Sequence, residues 1–298
     1  MIKQIWKPCS KFITLIATLL LFLNVPYLFF SKGSFSFQPG QFIQQFSSTL
    51  SDLASLQSLS YQIPSFGVSK TVHLFPDVFN PYLYSFTILC AAFFLSLCVS
   101  TTMTYVYFLS PKWLKTLTHR IVFILEALPD MMIMVLLQIF FIWILREYGY
   151  TPVTIMSFNE NKAYVLPIIC LSVLPTLQMF RMMLLYIKEE QEKQYVEVAY
   201  GKGLSSSYIL RTHIFKNIFV HLFYHLKTIF VFLLSNLFVL ELVFHMKGII
   251  YFLVSSSRFS TACYFVILLM ILTPFYFLFQ CISYMIQKSE KAVRGEIA

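Results

Sequence analysis

Six long apolar blocks alternate with polar stretches along the chain: Phe12–Phe30, Pro81–Leu109, Ile121–Leu145, Tyr164–Ile187, Phe219–Phe244 and Thr261–Ile286. Each is long enough to cross a hydrocarbon core, with tilt where it is longer than needed. Backbone groups left bare in lipid are costly, so runs of this kind are predicted to be helices. The pattern therefore predicts an all-α integral membrane protein with six transmembrane helices. The first block is too long for a signal-peptide core, and no A-x-A-like site follows it. Cys9 precedes the apolar run rather than ending it. The block is read as an uncleaved first helix.

Two polar stretches carry further order. Residues 31–80 are rich in Ser, Gln, Phe, Pro and Gly and poor in charge. Within them Phe42, Phe46, Leu50, Leu53 and Leu56 recur in steps of three and four, which predicts one amphipathic helix over Gln41–Leu59. It is either a packed cap or a surface that receives a partner. The other stretch, 188–218, separates the fourth and fifth blocks. Glu189–Tyr200 is predicted to extend the fourth helix into water. Gly203 ends that helix, and Ser205–Ser207 cap a new short one with their hydroxyls. Tyr208, Leu210, Ile214, Phe215 and Ile218 then lead into the fifth block. The expected product is helix, sharp turn, short helix, helix.

Composition agrees: the 298 residues are 58% hydrophobic and 12% charged, with 33 Phe. A soluble domain carries about twice that charge. The formal charge is +9, and its distribution matters more than its size. Lys and Arg number three in 1–11, three in 110–120, five in 188–218 and three in 287–298, fourteen in all. The opposite loops, 31–80, 147–163 and 245–260, hold five. This bias predicts both termini and the central loop on the cytoplasmic side. No basic cluster with interleaved aromatics lies outside the apolar blocks, so nucleic acid is not an expected partner; membrane lipid is. Five of the six cysteines, Cys90, Cys98, Cys170, Cys263 and Cys281, fall in predicted spans, and Cys9 lies beside the first. No disulfide framework is indicated.

Few residues carry candidate chemistry. Acids within spans are functional candidates because burying their charge is costly. Glu126 and Asp130 stand four apart in the third block, hence on one helix face, with Pro129 between them. They are candidates either for a translocation path, meeting the positive end of a peptide, or for a structural pair. Glu241, near the outer end of the fifth span, is a third candidate. Arg181 is read as snorkelling inward. His221 and His225 are one turn apart with His213 upstream, but no acidic or cysteine ligand is near, so no metal site is expected. Met131, Met132, Met134, Met179, Met182 and Met183 are either a pliable lining or ordinary packing. Gly201-Lys202-Gly203 lacks the G-x-x-x-x-G-K-[ST] spacing and a preceding strand. No catalytic set and no cofactor are expected, and the chain is read as not an enzyme.

The central loop also carries a resemblance. Glu197-Val-Ala199-x-x-x-Gly203 resembles the E-A-A-x-x-x-G loop of bacterial ABC-transporter permeases. Tyr195-Val196, Ala199, Lys202-Gly203-Leu204, His213 and Asn217 resemble the oligopeptide, dipeptide and nickel permease branch. Glu241-x-Val-Phe244 followed by Gly248 is similar to a segment of that branch between the fifth and sixth spans. Pro129 sits where the branch has a proline. Val198 stands at the second position of the E-A-A pattern, His221 where proline is usual, and Met246-Lys247 where a small residue and proline approach the glycine.

The resemblance implies a type I ABC importer permease fold with a cytoplasmic EAA coupling loop. It implies residues 1–80 as an N-terminal helix plus external segment, 81–287 as the permease core with the loop at 188–218, and 288–298 as a cytoplasmic tail. The residues that would couple to an ATPase are Glu197, Ala199, Lys202, Gly203, Leu204, Ser205, Ser206, Ser207, His213 and Asn217. Implied partners are two cytoplasmic ABC ATPase subunits, a second, different permease subunit, and an extracellular substrate-binding lipoprotein. The implied location is the bacterial cytoplasmic membrane. Glu197 either holds the loop through hydrogen bonds or pairs with the ATPase. The alternative reading is a non-transporting membrane sensor or regulator that keeps the permease fold.

Overall fold

A computed structural model describes residues 2–31, 34–56, 59–65, 68–150, 154, 157, 162–255 and 258–293. Lys32 and Arg294, counted in the charge bias, lie outside the described residues, as do positions 57 and 58 of the expected amphipathic helix. In chain order the elements begin with α1 (Ile2–Asn24), α2 (Pro26–Phe29), β1 (Phe30–Ser31), β2 (Ser34–Phe35) and α3 (Pro39–Ala54). Next come β3 (Ser60–Ser65), β4 (Val68–His73), α4 (Leu74–Asp77) and α5 (Phe79–Leu109). Then follow α6 (Lys112–Ala127), α7 (Asp130–Tyr148), α8 (Val165–Gln191) and α9 (Gln194–Gly201). The chain continues through α10 (Ser206–Ile209), a π-helical turn (Leu210–Ile214) and α11 (Phe215–Val243). It closes with α12 (Ile249–Ser255), β5 (Arg258–Phe259) and α13 (Thr261–Val293). Among the described residues six helical segments are long and apolar enough to cross a membrane. The all-α, six-span expectation holds.

The chain divides into two units, Met1–Tyr84 with Gly248–Ala298, and Ser85–Lys247. In the first, α1 packs on α13, and α3 packs on α1, α2 and α13. Thr49 of α3 donates to the Asn24 side chain at 3.3 Å, and Gln45 donates to Thr261 at 3.3 Å. The first helix ends at Asn24, before the end of the apolar run, because Pro26 lacks the N–H that would continue its bonding; α2 resumes from Pro26. A small antiparallel sheet, ordered β4-β3-β5, fills the stretch after α3. Tyr61 anchors it, stacking on Phe259 at 5.1 Å and donating to Asp77 at 3.2 Å. Burial, then the Asp77 carboxylate, pushes the Tyr61 phenol above its ordinary range. The sequence reading placed no element between Leu59 and the second span and so did not predict the sheet, although Tyr61-Gln62-Ile63 and Thr71-Val72-His73 include β-branched and aromatic residues that favour strands.

In the second unit α8 is the central helix, packed on α6, α7 and α11. α5 meets it through a stripe of small residues one turn apart. Ala92, Ser96, Ser100 and Thr104 are all fully buried. Ser100 lies 3.7 Å from the Met179 sulfur and Thr104 lies 3.5 Å from that of Met183. The small side chains leave room for the two methionine side chains of α8. The hydroxyls cost little because each donates to a carbonyl of the preceding turn, at 2.7–3.1 Å. Met179 and Met183 are therefore packing residues, as is the buried Met134, while Met131 and Met132 are exposed.

The third apolar block is not one helix. α6 stops at Ala127, Leu128 and Pro129 are extended, and α7 starts at Asp130. Pro129 is the cause: its ring excludes helical geometry at Leu128, while its own fixed φ suits a helix start. The expectation that Glu126 and Asp130 share a helix face is corrected, since they lie on opposite sides of this break. The fold around it is held by Val122, Ile133, Leu174, Leu177 and Phe180.

Candidate functional site

The stretch between α8 and α11 is more jointed than its sequence suggests. α8 ends at Gln191, and Glu192 and Lys193 form a break before α9. The expected continuous extension from Glu189 to Tyr200 is corrected here. α9 then ends as predicted. Gly203 has φ +77°. Its N–H donates to the Tyr200 carbonyl at 2.9 Å, and the Leu204 N–H donates to that of Ala199 at 3.3 Å. This is the paired bonding of a left-handed C-cap, where glycine avoids the Cβ penalty. Ser205 starts the next helix, its hydroxyl accepting from the Tyr208 N–H at 3.3 Å. Ser206 and Ser207 form its exposed first turn. No gap then separates a short helix from the fifth span: α10, the π-helical turn and α11 run on as one helical segment, Ser206–Val243.

One face of this joint is packed and the other open. Val196, Ala199, Ile209, Leu210 and Ile214 are buried. Glu197, Val198, Tyr200, Lys202, Gly203 and Ser205–Tyr208 are exposed. His213 is half-buried and its ring meets Tyr208 edge-on at 6.2 Å.

The loop is held by Glu190, a residue the sequence reading did not single out. Its side chain is buried. It accepts from Tyr195 at 2.7 Å, from Asn217 at 2.7 Å and from Lys193. Asn217 also donates to the Tyr195 oxygen at 3.2 Å. One carboxylate thus ties the end of α8 to α9 and to the start of α11. Burial and the bond to Glu190 push the Tyr195 phenol up to about 12. Glu197, by contrast, forms no side-chain hydrogen bond or ion pair among the described residues.

The intramembrane acids divide similarly. Glu126 accepts from Arg181 at 3.0 Å. Arg181 is thus paired across to α6 rather than merely snorkelling, though its side chain is 73% exposed. Asp130 accepts from Asn236 of α11 at 2.9 Å. Both acids line a cavity of about 1700 Å³ that also receives Lys115, Arg120, Arg181 and Lys188. Glu241 is fully buried and accepts from Ser85 at 2.6 Å. His221 and His225 flank the Tyr186 ring at 5.6 and 5.7 Å. No group of three or more metal-ligating side chains occurs among the described residues. The five described cysteines are unpaired; the Cys9 side chain lies outside the described set.

Residues 96–291 match the family described as "Binding-protein-dependent transport system inner membrane component". The chain belongs to this family. The permease is thus an all-α type I member and a multi-pass membrane protein, from a transport family rather than a catalytic one. A 103-residue stretch is 33% identical to the "Putrescine export system permease protein SapB" of Escherichia coli (strain K12). The same identity over the same length relates it to the "Peptide transport system permease protein SapB" of Escherichia coli O157:H7. In each case the aligned stretch covers 35% of this permease and 32% of the relative. The permease therefore spans, in alignment, about a third of the length of these curated relatives.

Proposed function

We propose that this permease is the membrane subunit of an ATP-driven importer for peptides, and that stretch 188–218 is its coupling loop. The observation that carries the reading is the locked, half-exposed joint. Gly203 and Ser205 fix its turn, and Glu190 ties it to α8 and α11, while Glu197, Val198, Tyr200 and Tyr208 stand outward. A short element rigidly joined to two spans converts movement of a partner into movement of the spans. In this reading two ABC ATPase subunits dock on the exposed face, and Glu197 belongs to that contact rather than to the loop's internal bonding. Both termini and the loop face the cytoplasm, in keeping with the Lys and Arg bias. A second permease completes the pathway, and an external substrate-binding lipoprotein delivers the cargo. Peptide stands ahead of nickel because one relative is named for peptide transport.

The test is co-expression of the tagged permease with candidate ABC ATPases, a partner permease and a substrate-binding protein from the same genome, then co-purification and ATP-dependent uptake of labelled peptide, with nickel as the second cargo. Assembly and inward transport are expected. Gly203→Pro, or a rewritten Leu204–Ser207, is expected to abolish coupling. Unchanged assembly and uptake in both variants would overturn the coupling role. Assembly without movement of any cargo would favour the sensor reading.

A further inference from the structure

The cavity lined by α6 and α8 is charged, and its charges are not equally available. Of its two acids, Glu126 is ion-paired with Arg181, and Asp130 accepts from the neutral Asn236 amide, which leaves its charge in place. Of its cations, Lys115 sits over the Tyr107 and Phe108 rings at 5.5 and 5.7 Å. Arg120 and Lys188 are exposed, and neither side chain has a hydrogen-bond or ion-pair partner among the described residues. A positive group entering this space meets one carboxylate whose charge is not compensated, Asp130, among four cations. A negative group meets a free guanidinium and a free ammonium.

We infer that this cavity recognises the carboxylate of its cargo, through Arg120 and Lys188, and discriminates against diamines. The inference rests on the transport reading above. Arg offers a planar fork that matches a carboxylate, and Lys adds a point charge. A low-dielectric wall of Phe123, Leu185 and Ile229 strengthens that attraction, and equally the repulsion of a second cation. The volume of about 1700 Å³ exceeds the range of small-ligand pockets, so a short peptide fits without filling it. Of the two acids expected to meet a peptide's positive end, Glu126 is paired with Arg181, and Asp130 alone keeps an uncompensated charge.

The test uses the whole transporter, this permease with its partner permease, ATPases and binding protein, in phosphatidylcholine vesicles. ATP-dependent uptake is compared for trialanine with a free C-terminal carboxylate, for its C-terminal amide and for putrescine. The free acid is expected to move about tenfold faster than the amide, the ratio that about 1.4 kcal/mol of differential binding gives. In the Arg120→Gln/Lys188→Gln double variant that ratio is expected to fall toward one. Arg120→Lys/Lys188→Arg is expected to restore most of it. Equal wild-type rates for acid and amide, or faster uptake of putrescine, overturn the inference even if no variant assembles. A ratio unchanged in the double variant overturns it too. Phosphatidylglycerol retained by the wild type and lost by the double variant, with the ratio unchanged, would reassign the cations to a lipid headgroup. If the assembled transporter moves no cargo at all, the transport reading fails and this inference fails with it.

Discussion

Asn217, at the start of α11, donates to the buried carboxylate of Glu190 at the end of α8, at 2.7 Å. The bond closes the exposed loop into a rigid loop with a single base. Removing either partner leaves the other polar group without its match, which costs on the order of 1–3 kcal/mol. Glu190→Gln and Asn217→Ala are each expected to lower the thermal unfolding midpoint of the purified permease. The double variant is expected to be less than additive by about 1 kcal/mol, since both changes break one network. Strict additivity would show that the bond does not hold the loop. The Arg181–Glu126 pair is a useful contrast. With Arg181 so exposed, Glu126→Gln is expected to change stability by less than about 1 kcal/mol.

Tyr195 gives the same network a pH signature. Its phenol is raised from an ordinary 10.0 to about 12, first by burial and then by the bond to Glu190. A pKa raised in the folded state favours the protonated form. The contribution to loop stability is therefore complete below pH 10 and is lost as pH rises through about 12. Ultraviolet titration of phenolate absorbance should show a late-titrating tyrosine that is missing from Tyr195→Phe. In Glu190→Gln that tyrosine should titrate earlier. A wild-type minus Tyr195→Phe difference centred at or below pH 10 would refute the assignment.

Gly203 is constrained by its backbone rather than by space. A Cβ there would meet nothing within 4 Å, yet φ is +77°. Gly203→Ala is expected to cost about 1–2 kcal/mol through the left-handed penalty alone. Gly203→Asn is expected to cost less, because Asn tolerates that region. Gly203→Pro also removes the N–H that bonds Tyr200 and is expected to be the most damaging. Amide exchange across α9 and α10 should rank the variants in that order. Equal protection in all three would mean that the turn does not depend on the glycine.

His245 repeats this geometry with the wrong residue. It has φ +50°, and the Met246 N–H donates to the Glu241 carbonyl at 2.9 Å. The end of α11 is thus the same kind of left-handed cap without glycine. His245→Gly is expected to be neutral or to raise the unfolding midpoint slightly, since it removes strain and His245 is itself exposed. A marked loss of stability would point to a role for the imidazole.

The six spans were legible because lipid imposes length and apolarity on any crossing segment. The Gly203 turn and the Ser205 cap were legible because each uses a residue type that its backbone demands. Pro129 marked the break between α6 and α7, but the largely apolar residues on both sides of it, across 121–145, masked it. Glu190 was not legible. Glu189, Glu190 and Glu192 look alike in sequence, and which one is buried depends on Asn217 arriving from the next helix. The availability of Arg120 and Lys188 was hidden for the same reason, since it follows from partners taken elsewhere by Glu126 and Asp130.

The stripe on α5 offers the sharpest test of packing. Ser96, Ser100 and Thr104 satisfy their own hydroxyls within α5, so the interface with α8 depends on their size more than on their polarity. Ser100→Ala keeps the size and removes a group whose bond is local; a change below about 1 kcal/mol is expected. Ser100→Leu forces extra methylenes against Met179, whose side chain is fully buried. Overpacking of that kind costs about 1–3 kcal/mol. Methionine adapts its shape, so Ser100→Leu/Met179→Ala is expected to recover much of the loss. The readout is the unfolding midpoint in detergent together with yield of folded protein. If Ser100→Ala proves as damaging as Ser100→Leu, the hydroxyl rather than the small size of residue 100 is what joins α5 to α8.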